Sequence, residues 1–315
     1  MSPRSIFFGQ KGIHWECQQG LSCEFDTDIK RGHCSGPDLG ECLKAEYAEM
    51  RHGKLDTPEV HSIWGRLVDE YSAMHLSHAE DVLVAIAGIS STFEVQLRSK
   101  STYGLWVDFL VKELLWTQEG PENASKYHSS AKFLPSWSWI SAHGTRIQMS
   151  NIITYPCEKD EFYSADLISW PSDAGFNVQF LQGPRDIRLC IRGYLSSYVE
   201  SEQDENHGTS SRGSGEDGVG EWQRHDRLDH GAPETDLFRL LLICQRQESR
   251  VKHFNHGLVL TPVNHKERLY RRVGYTEERF CGKGSPDAPA SSWVQGKFPV
   301  NLWAPLEEEQ EVYIV

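Results

Sequence analysis

The stretch FLPSWSWISAHG, residues Phe133 to Gly144, decides the predicted fold. Pro135 disfavours a helix in the residue before it and has no amide donor, so it marks a change from helix-patterned to strand-like sequence. Trp137 and Trp139 then fall on one face of an extended segment, with serines on the other face. Since each indole can bury about 150–250 Å², this stretch is the predicted core strand.

The sequence upstream of this strand predicts amphipathic helices over residues 57–134. Thr57 is the predicted N-cap of the first helix and Pro58 its first helical residue. Apolar residues then recur at the spacing of one helical face, namely Val60, Ile63, Trp64, Leu67, Val68 and Tyr71. A second helix is predicted from a capping box at Ser77 and Glu80 to a stop at Gly88.

A third helix is predicted to begin near Thr102. It places apolar side chains on one side of the helix: Leu105, Trp106, Phe109, Leu110, Leu114 and Trp116.

Downstream of Pro135 the sequence pattern is typical of β-strands. The predicted strands are Ile147 to Tyr155, Val178 to Leu181, Ile187 to Tyr198, Leu237 to Gln245, Gly257 to Pro262, Tyr270 to Tyr275 and Glu311 to Val315. Residues 201–236 have almost no core-forming side chains, which predicts a disordered acidic insertion. The predicted fold class is therefore α+β, with an amphipathic helical segment followed by a mostly antiparallel β region (135–200 and 237–315) and a long disordered acidic loop.

The first 56 residues divide into two parts. Ser5 to Trp15 reads as a β-hairpin within residues 1–17, and residues 18–56 read as a loop-rich linker with a short helix at Glu41 to Met50. Five tryptophans are the predicted core anchors: Trp15, Trp64, Trp106, Trp137 and Trp139.

Composition narrows the class of protein. The chain has 315 residues, with 32 Lys and Arg against 45 Asp and Glu, so its net charge is −13. This charge disfavours binding to nucleic acid. No apolar run reaches the roughly 18 residues of a membrane span, and no secretory signal is visible. The 8 cysteines are then expected to be reduced thiols of a cytoplasmic protein.

Glu16 is the candidate catalytic residue, because a carboxylate beside an indole can have a raised pKa. The preferred interpretation is structural: Glu16 alternates outward while Trp15 and Cys17 point inward, or it pairs with Arg4 across the hairpin.

Four cysteines near the N-terminus are candidate metal ligands: Cys17, Cys23, Cys34 and Cys42. Their spacing lacks the paired C-x₂₋₄-C knuckles of zinc sites, so idle or buried thiols are preferred and no metal is predicted. A G-x-G-x-x-G match at Gly213 to Gly218 lies in the acidic insertion, where Glu216 and Asp217 would repel a pyrophosphate. The sequence therefore predicts no cofactor.

Arginines supply the candidate binding residues, which are Arg4, Arg271 and Arg272. The last two belong to the densest basic cluster of the chain. Acidic residues surround that cluster, so a polar strand face is the preferred interpretation.

Several blocks occur in a fixed order: MSPRSIFFGQKGIHWEC (1–17), WGRLVDEYSAMHLSHAEDVLVAIAGIS (64–90), YGLWVDFLVKELLW (103–116) and PSWSWISAHG (135–144). In this order the chain resembles fungal heterokaryon-incompatibility (HET) domain proteins, and the resemblance continues through IRGYLSSYV, GLVLTPV and YRRVGYTEE. It concerns the part downstream of the HET domain proper, of which residues 2–17 look like the very end. The family's block of arginine, glycine and tryptophan followed by glutamine and glutamate, which precedes SPR, is absent. A truncated gene model, a split gene or a real fragment is therefore expected.

The resemblance implies a role in fungal non-self recognition and regulated cell death. On this basis we expect a non-catalytic interaction or regulatory region with a protein partner. One alternative is part of an NAD-cleaving or other hydrolytic signalling enzyme, completed by an upstream domain. The other is a non-functional remnant.

Overall fold

The computed structural model describes residues 4–9, 12–18, 20–23, 43–74, 81–119, 134–142, 145–149, 159–171, 187–197, 209–214, 220–228, 236–247, 252–282 and 309–315. In this part of the chain the helices are α1 (Leu43–Arg51), α2 (Thr57–Ser72), α3 (Asp81–Leu97) and α4 (Leu110–Glu113). The short strands are β1 (Arg4–Gly9), β2 (Gly12–Cys17), β3 (Gly20–Cys23), β4 (Ser101–Thr102), β5 (Leu105–Trp106), β6 (Thr117–Glu119), β7 (Arg146–Gln148), β8 (Lys159–Tyr163) and β9 (Ala165–Ser169). Then follow β10 (Leu189–Ser197), β11 (Thr209–Ser214), β12 (Gly220–Leu228), β13 (Phe238–Gln247), β14 (Lys252–Asn264), β15 (Leu269–Gly282) and β16 (Glu309–Ile314).

The prediction of an α+β fold with mostly antiparallel strands is confirmed. Nine of the described strands form one sheet, in which five strands close a ring in the order β10, β13, β14, β15 and β16. Every junction of the ring is antiparallel except β15 to β16, which is parallel. The ring closes through two residue pairs, Leu269 with Tyr313 and Tyr270 with Ile314. Strands from both predicted β ranges, 135–200 and 237–315, therefore share one sheet.

The tryptophan segment is not a strand, contrary to the prediction. Leu134–Ala142 turns and ends in a 3₁₀-helix over Trp139–Ala142. Trp137 and Trp139 are nevertheless fully buried, as predicted. Ser138 is buried as well and donates to the Tyr103 carbonyl oxygen at 2.6 Å. The strand prediction fails because side chains from both predicted faces, including Ser138, form hydrogen bonds inside the protein. A strand with one buried and one exposed face would leave Ser138 in solvent.

The first helical prediction is confirmed for α2, with one shift at its start. The N-cap is Asp56, not Thr57, and Asp56 and Glu59 form a reciprocal capping box. Asp56 Oδ1 accepts from the Glu59 amide at 2.9 Å, so the carboxylate satisfies a donor that the threonine was expected to satisfy.

The predicted stop of the second helix at Gly88 is wrong. Helix α3 passes through Gly88 and ends at Leu97. A lone glycine costs a helix only about 1 kcal/mol relative to alanine, which tertiary packing overrides. The predicted capping residues Ser77 and Glu80 lie outside the described residues.

The predicted third helix is wrong. Its residues form the hairpin β4–β5, a 3₁₀ turn at Val107–Phe109 and the single-turn helix α4. Tyr103 and Gly104 have positive φ angles of 45° and 81°, which a helix cannot contain. The apolar residues of the pattern are buried all the same, except Phe109, which is partly buried.

The predicted strands after residue 187 are confirmed, and most are longer than predicted. Of the two earlier ones, Ile147 to Tyr155 is described only as far as Met149, with a strand over Arg146–Gln148. Residues 150–155 and Val178 to Leu181 lie outside the described residues. The prediction of disorder over 201–236 is wrong for β11 and β12, which extend the sheet beyond β15. Pairing along a sheet edge uses backbone hydrogen bonds, so it does not require the apolar side chains on which the prediction relied.

The N-terminal hairpin and the short helix α1 are confirmed. A strand within the predicted linker, β3, was not expected and extends the hairpin to a three-stranded sheet in the order β1, β2, β3. One hydrophobic core joins the helices to the large sheet. Trp64 and Trp106 lie in this core as predicted, with ring centroids 5.2 Å apart. None of the described helices is long and apolar enough to cross a membrane.

Truncating the tryptophan segment tests its role in the fold. Trp137→Ala and Trp139→Ala are each expected to lower the free energy of unfolding by about 3–5 kcal/mol, since each opens a cavity in the core. Trp15→Ala is the matched control, because the Trp15 side chain is exposed. Urea unfolding measures all three, and equal stability of the three variants contradicts the core assignment.

Substitutions at two glycines provide a second test of the fold, and the expected changes in stability have opposite signs. Gly104→Ala is expected to cost about 2–4 kcal/mol, because its φ is positive and a Cβ would come within 2.9 Å of the Trp139 indole nitrogen. Gly88→Ala is expected to add about 0.5–1 kcal/mol, because this helical glycine has open space around it. Thermal unfolding measures both, and a shift of the same sign for the two would contradict the prediction.

Candidate interaction surface

One face of the β1–β2 hairpin is apolar and exposed. The register pairs Ile6 with Trp15 and Phe8 with Ile13, so the four side chains share that face. Their exposed fractions are 63% for Ile6, 83% for Phe8, 41% for Ile13 and 53% for Trp15. We refer to these four residues as the apolar face. We therefore take this exposed apolar surface as the candidate interaction site.

Ser5 and Glu16, on the opposite face of the hairpin, contact helix α1. Ser5 and Glu16 are direct cross-strand partners. Lys44 of α1 reaches both of them, with its Nζ atom 2.6 Å from Ser5 Oγ and 2.6 Å from Glu16 Oε2. The hairpin therefore directs Ser5 and Glu16 towards the body of the protein.

Further charged groups continue this contact as a polar layer between the hairpin and the helices. Arg66 of α2 pairs with Glu46 of α1. One turn further along α2, desolvation raises the pKa of Glu70, the nearby Glu16 adds to the rise, and Arg66 opposes it. We refer to Glu16, Lys44, Glu46, Arg66 and Glu70 as the polar layer.

The orientation of the hairpin corrects the predictions for its residues. The predicted burial of Trp15 in the core is wrong, and so is the expectation that Glu16 points outward while Trp15 points inward. Alternation along a strand fixes which residues share a face but leaves open which face is buried. Lys44 determines which face is buried, because its Nζ atom binds Ser5 and Glu16.

Glu16, the candidate catalytic residue, is thus part of an ion pair in the polar layer. The arginine expected as its partner, Arg4, begins β1 and lies opposite Cys17. Glu16 forms an ion pair with Lys44.

The other two candidate binding arginines, Arg271 and Arg272, lie in different environments. Arg271 is exposed, whereas Arg272 is buried, which corrects its assignment as a binding residue. The Arg272 guanidinium lies 3.5 Å from the centroid of the Trp116 ring and donates to the Trp116 carbonyl oxygen. Consecutive strand residues point to opposite faces, so the two arginines cannot act as one cluster.

The candidate metal ligands are only partly described. Cys17 lies on β2 opposite Gly20, and Cys23 lies on β3 opposite His14. Cys34 and Cys42 lie outside the described residues. Among the side chains that the structure describes, no group of three or more potential metal ligands occurs.

A buried histidine–carboxylate pair was missed by sequence reasoning. His61 of α2 and Glu113 of α4 are both buried, with His61 Nε2 2.8 Å from Glu113 Oε1. The second carboxylate oxygen accepts from the Trp106 amide, and the His61 ring stacks on Phe109 at 4.1 Å. Burial raises the pKa of Glu113, and the contact with His61 opposes that rise. The only signal in the sequence was a histidine within the apolar stripe of α2.

A second polar cluster lies on the large sheet and was also missed. His256 Nδ1 is 2.8 Å from the Tyr275 hydroxyl, which donates to Glu277 Oε2 at 2.9 Å. The three residues come from β14 and β15, and their pairing depends on a register that the sequence does not reveal.

Comparison with known proteins gives no assignment. No family model matches the chain, and no significant similarity is found to a curated protein or to a solved structure. The structure and the sequence motifs therefore provide the grounds for a functional proposal.

The His61–Glu113 pair predicts a pH dependence of stability. A carboxyl group with a raised pKa in the folded state binds its proton more tightly there than in the unfolded chain, so its contribution to stability falls as pH rises above 4.5, the ordinary carboxyl value. Glu113→Gln removes this titration and keeps an acceptor for the Trp106 amide. The stability of Glu113→Gln relative to the original chain is therefore expected to increase with pH over that window.

Urea unfolding at a series of pH values measures this difference. Glu94→Gln is a control at an exposed carboxylate on helix α3. A difference between Glu113→Gln and the original chain that stays constant or falls with rising pH contradicts the prediction.

Proposed function

We propose that the chain is a non-catalytic interaction and regulatory region of a heterokaryon-incompatibility protein. It acts in the cytoplasm of fungal cells, where it takes part in non-self recognition and regulated cell death through a protein partner. The ordered motifs from MSPRSIFF to PSWSWISAHG support the family assignment. The observation that carries the binding role is the apolar face of Ile6, Phe8, Ile13 and Trp15.

The exposure of this face is costly unless something covers it. Apolar surface contributes about 25 cal/mol for each Å² removed from water, and the two aromatic rings supply most of the area here. Trp and Phe are also the residue types that concentrate binding energy in protein interfaces. A partner that covers the face therefore gains binding free energy from side chains that the fold leaves exposed to solvent.

A cell-death assay tests this proposal. The chain is expressed in a filamentous fungus from an inducible promoter, and cell death is scored with a vital dye. The original chain is expected to change the death rate, and Phe8→Asp is expected to remove that effect because it adds a carboxylate to the apolar face.

Val95→Asp is the matched control for charge and exposure. Val95 lies on α3, outside the hairpin, with 72% of its surface exposed. It should behave like the original chain at equal protein level. An effect of the original chain that Phe8→Asp leaves intact, or no effect at all, overturns the proposal.

One observation favours the alternative of an NAD-cleaving or other hydrolytic enzyme. Glu70, with its raised pKa, lies near Glu16, and two carboxyl groups in different environments can divide acid and base roles. The purified chain is therefore incubated with NAD and nicotinamide release is followed. We expect none, and turnover that Glu16→Ala and Glu70→Gln both abolish establishes the enzyme instead.

A further inference from the structure

The side chains of the apolar face alternate between aliphatic and aromatic in both directions. Along β1, Ile6 is followed by Phe8, and along β2, Ile13 is followed by Trp15. Across the ladder Ile6 is opposite Trp15 and Phe8 is opposite Ile13. An aromatic ring therefore has an isoleucine as its neighbour both along the strand and across the ladder.

We propose that a second copy of this chain covers the apolar face, so that the protein forms a symmetric dimer. The proposal rests on the binding role inferred above and names the partner. A two-fold axis that lies in the interface, perpendicular to the strands, places Ile6 over Phe8 of the second copy and Trp15 over its Ile13. Both aromatic rings then meet an aliphatic side chain, and two large rings never compete for one place.

The charge at the end of the face favours this axis over the alternative. Arg4 continues the β1 row of Ile6 and Phe8. With the axis perpendicular to the strands, the two copies of Arg4 lie at opposite ends of the interface, about 20 Å apart at the usual rise of a strand. That separation exceeds the Debye length of about 8 Å at physiological salt, so their repulsion is small. An axis parallel to the strands would bring both arginines to the same end.

The area of the face predicts a weak and reversible dimer. The four side chains expose roughly 400 Å², so two copies bury about 800 Å², which is below the size of most stable interfaces. Each chain also carries a net charge of −13, and the two copies repel. Salt screens this repulsion, so the dimer is expected to strengthen as the salt concentration rises. A partner drawn by opposite charge would bind more weakly under the same change.

Sedimentation velocity of the full chain tests the dimer over protein concentrations of about 1–200 µM, a range suited to weak interfaces. The original chain is expected to shift from monomer to dimer across this range, and more so at high salt. Phe8→Asp is expected to lower the association constant by at least about tenfold, because it buries an unpaired carboxylate. Val95→Asp adds the same charge elsewhere and should associate like the original chain.

An exchange of side chains tests the alternating pattern itself. Ile6→Trp combined with Trp15→Ile keeps the apolar composition of the face but places an aromatic ring over Phe8 of the second copy. This double variant is expected to associate more weakly than the original chain. Unchanged association overturns the proposed two-fold arrangement.

The outcomes separate this inference from the proposed function. If the chain stays monomeric at every concentration and salt level, the dimer is refuted. The binding role still stands in that case if Phe8→Asp removes the effect in fungal cells. If instead the dimer forms and Phe8→Asp breaks it without any effect in cells, the dimer stands and the proposed function fails.

Discussion

The fold depends on the hydrogen bonds that fix the segment Leu134–Ala142. The Trp137 indole donates to the Ile187 carbonyl oxygen at 3.0 Å, just before β10, and the Trp139 indole donates to Gly104 in the β4–β5 turn at 2.8 Å. Ser136 contacts the last strand, where its amide donates to the Val315 carbonyl oxygen. One segment without regular strand structure thus ties the helical half of the molecule to the closed ring of strands. These bonds also give hydrogen-bond partners to the carbonyl groups of Ile187, Gly104 and Val315.

The same segment makes room for charged residues in the core. Trp116 donates to the Trp137 carbonyl oxygen at 3.0 Å, and its ring then faces the Arg272 guanidinium. A buried cation is tolerated where an aromatic ring and a carbonyl oxygen replace its water. Elsewhere in the core, Glu113 is held between His61 and the Trp106 amide. The Arg272 cation is therefore accommodated by Trp116, which the segment positions, whereas the Glu113 carboxyl group is held by residues of α2 and β5.

The sequence predicted those elements whose pattern is local. Helix α2 has a regular apolar stripe, and β13 to β15 are rich in residues that favour strands, so periodicity identified them. The third predicted helix failed because its apolar residues serve the same core from a hairpin and a short turn. Positive φ angles at Tyr103 and Gly104 decide this, and only the glycine was a visible signal. The tryptophan segment failed for a different reason, since its conformation is set by carbonyl groups that are distant in sequence.

The candidate interaction surface shows most clearly why a face cannot be assigned from a strand alone. The hairpin sequence fixes two sets of residues, one with Ser5 and Glu16 and one with Ile6 and Trp15, and either set could face the protein. Lys44, which is 39 residues from Ser5, selects the polar set through its bonds to Ser5 and Glu16. The neighbouring Arg66–Glu46 pair extends the polar surface on which the hairpin rests. With that surface beneath it, the hairpin can bury its polar side without leaving Glu16 unpaired, and the apolar side is then left exposed as a direct consequence.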